Sequence, residues 1–78
     1  MYEEILDVSA LPCPMPIIKL KQKLTQWHRE GVTGQIRLLV SDKGALKDIP
    51  AFCQQQGLLL VEVREGCAPM EFVIRSEA

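Results

Sequence analysis

The stretch EILDVSALPCPMPIIKLKQKLTQW, residues 4–27, switches its hydrophobic period from two to about 3.6 across one proline-rich hexapeptide. Between Glu4 and Ser9 the residues alternate, with Leu6 and Val8 on one side and Ile5 and Asp7 on the other, which predicts a short strand. Leu11-Pro12-Cys13-Pro14-Met15-Pro16 follows. The backbone N–H groups of a first helical turn have no intrahelical partner, so Pro14 and Pro16 both fit a helix N-terminus, with Cys13 at the N-cap. Beyond them Ile17, Leu20, Leu24 and Trp27 recur at three- and four-residue steps, while Lys19, Lys21, Lys23 and Gln26 fall elsewhere. This is the pattern of a helix buried along one face, with Trp27 in the core and Gly31 as the stop.

Outward from this unit the pattern repeats. Ile36, Leu38 and Val40 alternate with Arg37 and Leu39 as a second strand, and Ser41 and Asp42 are suited to cap a second helix. That helix carries Leu46, Ile49, Phe52 and Cys53 on one face and ends at Gly57. Pro50 removes one N–H and predicts either a kink or a true helix start near Asp48. Leu59, Val61 and Val63, then Met70, Phe72 and Ile74, predict two more alternating strands joined by a hairpin over residues 66–69. The opposite sheet face would show Leu39, Leu60 and Val73 among Arg37, Glu62, Glu71 and Arg75. The element order is βαβαββ. Right-handed crossovers place both helices on one face, which gives an α/β (α+β) fold built as a two-layer sandwich.

The chain has 78 residues, so a single domain over residues 1–78 is expected, with a thin core. Its 47% hydrophobic and 24% charged residues are ordinary for a globular protein. A formal net charge of −1 supplies no basic field for direct nucleic-acid binding. The N-terminus lacks a secretory leader pattern, and no apolar run approaches the ~20 residues of a membrane span. A soluble cytoplasmic protein with no membrane contact is expected. Cys13, Cys53 and Cys67 cannot all pair within one chain and form no C-x-x-C, and only one histidine accompanies them. Free reduced thiols are expected, with no metal and no cofactor.

Two readings of Cys13 stand on these grounds. A thiol reacts as its thiolate, and a helix N-terminus favours that anion through unpaired N–H groups, here those around Met15 and Ile17. Alternatively, Cys13 is a small buried residue at a proline-marked helix start. A cysteine hydrolase would need a histidine as base, and His28 lies far along the same helix, about 22 Å away at 1.5 Å per residue. Sulfane-sulfur transfer needs no such base, because it proceeds like thiol–disulfide exchange. Cys53 falls on an apolar stripe and is assigned to the core. Cys67, beside Gly66 in the hairpin, is either an incidental surface thiol or a resolving cysteine. Lys19, Lys21, Lys23 and Arg29 make one side of the first helix basic, which serves solvation or guides an acidic partner.

The run Leu6-Asp7 followed by Leu11-Pro12-Cys13-Pro14-Met15-Pro16 resembles the C-P-x-P signature of the TusA/SirA-like sulfur carriers. Ser41-Asp42 with Asp48-Ile49-Pro50-Ala51-Phe52-Cys53 is similar to that family's second helix, and Phe72-Val73-Ile74-Arg75 to its closing strand. The resemblance implies a four-stranded mixed sheet with the last strand antiparallel. It also implies a persulfide held covalently on Cys13, received from a cysteine desulfurase or a rhodanese and relayed to an acceptor of the DsrE/TusD type, as in tRNA thiolation or another sulfur pathway. The chain departs from the commonest pattern at Ala10, Pro12, Met15 and Lys43, which leaves the particular partner open. Pro14, Pro16 and Asp42 would support the site structurally, and Lys43 could replace a positive charge lost beside Cys13. The rival function is a redox-sensing or regulatory interaction module that transfers no sulfur.

Overall fold

The computed structural model describes residues 2–12 and 14–76. Its elements are β1 (Tyr2–Asp7), α1 (Met15–Glu30), β2 (Gly34–Val40), α2 (Ala45–Gln56), β3 (Leu59–Arg64) and β4 (Met70–Ser76). They form one sheet of order β1-β2-β4-β3. β1 runs parallel to β2, and β4 runs antiparallel to both β2 and β3. The expected βαβαββ order and mixed sheet are both present.

One apolar cluster joins the two layers. Ile36, Leu38, Phe72 and Ile74 from the sheet meet Leu20 and Trp27 of α1 and Ile49, Phe52 and Cys53 of α2, all nearly or fully withdrawn from solvent. Both helices stop where glycine enters the left-handed region, at φ 69° for Gly31 and for Gly57. Val32 N–H then bonds the Trp27 carbonyl at 2.9 Å, and Leu58 N–H the Cys53 carbonyl at 2.8 Å, which occupies acceptors the helix ends would leave open.

Three local expectations need correction. The N-cap of α1 is Pro14, one residue later than expected, since its φ of −98° and ψ of 18° are not helical while its carbonyl accepts the Ile18 N–H. Of the two readings at Pro50, the start near Asp48 is excluded, since α2 begins at Ala45 and runs through Pro50. The turn before it explains the early start: Ala45 N–H bonds the Asp42 carbonyl and Leu46 N–H the Lys43 carbonyl, each at 3.1 Å, and Ala45 is buried. The third correction is in β3. A bulge between Leu60 and Glu62 spends Val61 without a partner. An extra residue inverts the side-chain parity on one side of the bulge. Leu60 therefore faces Ile74 and packs on the core, while Leu59 faces Arg75 and stays 52% exposed.

The open face of the sheet is covered by its own charges. Arg37 reaches Glu3 at 3.2 Å and Glu71 at 2.8 Å, while its register partner Val73 is only 5% exposed.

Gly34 begins β2 opposite Tyr2, and a Cβ there would fall directly on the Tyr2 carbonyl oxygen. Gly34→Ala is expected to cost about 1–3 kcal/mol, the usual penalty of overpacking a tight contact, because backbone on β1 must shift. Urea unfolding reads this as a lower midpoint with an unchanged slope.

Candidate functional site

β1 and β2 end, and β4 begins, at the same edge of the molecule: Asp7 pairs with Leu39, and Val40 with Met70. The segment leading to α1, the loop over residues 41–44 and the hairpin over residues 65–69 therefore share one end of the sheet. Cys13 lies outside the described residues. The chain on both sides of it is described.

The exit from β1 is tied down by hydrogen bonds. Val8 N–H donates to the Leu39 carbonyl and Leu11 N–H to the Val8 carbonyl, both at 3.0 Å. The Asp7 carboxylate accepts the Ser9 hydroxyl at 2.6 Å and the Ser9 N–H at 3.0 Å. These bonds favour the anion and hold the Asp7 carboxyl below its ordinary range. Met15 N–H donates to the Pro12 carbonyl at 2.9 Å. The Met15 amide, expected to serve a sulfur anion, is thus already engaged. Among the described residues no side chain caps α1, and no acid stands in its first turn.

Pro14 is exposed and Pro16 buried at the start of α1. With Ile17 they meet Asp42, Ala45, Asp48 and Ile49 across a cleft of about 10 Å³. A space of that size holds one water at most, so the first turns of the two helices are in close packing. Asp42 does not cap α2 as expected. Its Oδ1 accepts the Gly44 N–H at 2.9 Å, and Gly44 takes the N-cap position. An Asx turn of this kind shapes the approach to a helix without satisfying its N2 or N3 amide.

Lys43 borders a different space. It lines a pocket of about 180 Å³ with Ser41, Glu65, Cys67, Ala68, Pro69 and Met70. The structure therefore joins Asp42 to the two prolines and places Lys43 with the hairpin. The Cys67 thiol is exposed and contacts the Arg64 carbonyl at 3.7 Å. Cys53 is buried as expected, and burial pushes its thiol pKa up. His28 stands in the last turn of α1, at the far end of the helix.

Two features of this end escaped sequence reasoning. The Asp7–Ser9 clasp had a signal, an Asp-x-Ser spacing at a strand exit, of the type that forms local side-chain to backbone bonds. The pocket shared by Lys43 and Cys67 had none, because it depends on the β2–β4 register. Among the described residues no group of three or more His, Cys, Asp or Glu side chains is placed to hold a metal ion. No described helix is long and apolar enough to cross a membrane.

Comparison with known proteins finds relatives along nearly the whole chain. The family described as sulfurtransferase TusA matches residues 4–76. A putative sulfur carrier protein of Neisseria meningitidis serogroup A is 40% identical over 75 residues, covering 96% of this chain and 97% of the relative. The sulfur carrier protein TusA of Allochromatium vinosum is 33% identical, covering 95% and 93%, and that of Pseudomonas aeruginosa 32%, covering 97% and 92%.

Proposed function

Since the chain belongs to the TusA sulfurtransferase family, we propose that it carries sulfane sulfur as a persulfide on Cys13 and hands it to a partner protein. The observation that carries this reading is the nearly full-length likeness to relatives named as sulfur carriers, with a family match over residues 4–76 that includes the Pro12-Cys13-Pro14 segment. The other two thiols suit the task less well, Cys53 because it is buried and Cys67 because it lies in a hairpin apart from the proline cleft.

The chemistry is an exchange without net oxidation. The Cys13 thiolate attacks the terminal sulfur of a donor persulfide, the donor S–S bond breaks, and the donor leaves as a thiolate. An acceptor thiolate then attacks the terminal sulfur on Cys13 and regenerates the Cys13 thiolate. Neither step requires a general base held by this chain, in keeping with the remoteness of His28. The donor would be a cysteine desulfurase or a rhodanese, and the acceptor a thiol protein of the DsrE/TusD type, in the cytoplasm. Lys43, which lines the hairpin pocket and not the proline cleft, would favour the Cys13 thiolate only through its positive charge at this end of the sheet. The persulfide is cargo.

Intact-mass analysis tests the proposal. After incubation with a cysteine desulfurase and cysteine, or a rhodanese and thiosulfate, the protein is expected to gain one sulfur atom that dithiothreitol removes. Peptide mapping should place that sulfur on Cys13. A protein that takes up none from either donor would refute the carrier reading and leave the regulatory one standing.

A further inference from the structure

The groove between the C-terminal halves of α1 and α2 lies at the end of the molecule opposite Pro12 and Pro14. Its lining includes Ser76, whose register partner Gly34 starts β2. We propose that this groove docks an acidic, amphipathic segment of a partner protein. The floor is apolar: Leu24, Val32 and Leu58 pack on the core yet remain partly open to solvent, beside Phe52. The volume, about 340 Å³, accommodates one or two apolar side chains.

The rim decides the sign of the partner. Lys21 and His28 line the groove, and among the described residues no carboxylate does. Lys21 makes no salt bridge among the described residues, whereas Lys23, two positions on, is neutralised by Glu4 at 2.7 Å. α1 as a whole holds four of the nine Lys and Arg residues, Lys19, Lys21, Lys23 and Arg29, against one of the ten acids, Glu30. A net charge of −1 for the chain thus conceals a positive helix on an otherwise negative body. Carbonyls at the two helix ends would oppose an anion, but those of Trp27, His28, Cys53 and Gln54 are occupied by N–H groups of residues 31–32 and 57–58. An amphipathic helix with acids flanking an apolar stripe satisfies both floor and rim.

Docking here leaves the opposite end uncovered. A partner can hold the protein by the groove while another meets the proline segment, so tethering and handover are separable. The inference stands whether or not Cys13 carries sulfur.

Titration of the ¹⁵N-labelled protein with a capped twelve-residue helical peptide of leucines at three- and four-residue steps among glutamates tests it, with a lysine-for-glutamate peptide as counterpart. Saturable shifts are expected at Leu24, Thr25, His28 and Leu58. Affinity should fall roughly tenfold or more for the lysine peptide and for Lys21→Glu, about 1.4 kcal/mol or more, while Lys47→Glu, outside the groove, leaves it unchanged. No saturation by about 1 mM, where binding is worth only ~4 kcal/mol, equal binding of both peptides, or shifts confined to the other end would overturn the proposal. So would peptide-free, concentration-dependent shifts in the groove, which would assign it to a second copy of this chain.

Discussion

Cys13→Ser is expected to reduce sulfur uptake from a persulfide donor to the level of protein that has met no donor, with folding unchanged. The reason is chemical. Serine is close in shape to cysteine, but its hydroxyl is not ionised near neutral pH and forms no persulfide, so the loss is complete instead of graded. Cys67→Ser should keep the full uptake, because that thiol lies in the hairpin pocket, apart from the proline cleft that borders Cys13 in the sequence. Cys53→Ser should keep it too, at a cost of about 1–3 kcal/mol in stability for placing an unpartnered hydroxyl at a site only 2% exposed. Uptake by the wild type should rise with pH as the attacking thiol ionises and level off once it is fully thiolate. Mass spectrometry of the three variants, with circular dichroism as the folding control, separates these outcomes. Loss of uptake in Cys67→Ser and its retention in Cys13→Ser would reassign the carrier.

The parts of the molecule legible in the sequence are those governed by local rules. Apolar spacing from Ile17 to Trp27 defined the buried stripe of α1, and Gly31 and Gly57 marked both helix ends, because a left-handed residue is cheap only for glycine. Mixed strand directions followed from the family resemblance more than from any local signal. Hydrogen bonds that form only in the assembled backbone were less legible. The bond from Met15 N–H to the Pro12 carbonyl moved the cap of α1 to Pro14, and the Asx turn at Asp42 gave the cap of α2 to Gly44. At the candidate site, the cleft joining Pro14 and Pro16 to Asp42 connects segments about thirty residues apart, and the Lys43–Cys67 pocket connects segments more than twenty apart. Residue types at such positions were readable one by one. Their neighbours were not, since neighbourhood depends on strand register.

β3 shows what register does to energetics, and Phe72 supplies the scale for it. Phe72 is fully buried at the centre of β4, with Leu38 opposite it on one side and Val63 on the other. Phe72→Ala removes a whole ring from a core too thin to collapse around the space, so a cost of about 3–5 kcal/mol is expected. A chain of this length has on the order of 4–12 kcal/mol in total, at roughly 0.05–0.15 kcal/mol per residue. The variant should therefore lose about a quarter or more of its stability, and its Tm should fall by on the order of 20 °C, at about 4–8 °C per kcal/mol. The two leucines of β3 then separate the observed register from regular alternation. With the bulge at Val61, Leu60→Ala strips a side chain that packs on the core and should cost about 1–2 kcal/mol, part of the penalty of a fully buried leucine. Leu59→Ala trims a side chain that is half exposed and should stay within about 0.5 kcal/mol. Unbroken alternation would place Leu59 inward with Val61 and Val63 and reverse that order. Thermal unfolding of the three variants decides the question, and a Leu59→Ala protein weaker than Leu60→Ala would place the bulge elsewhere.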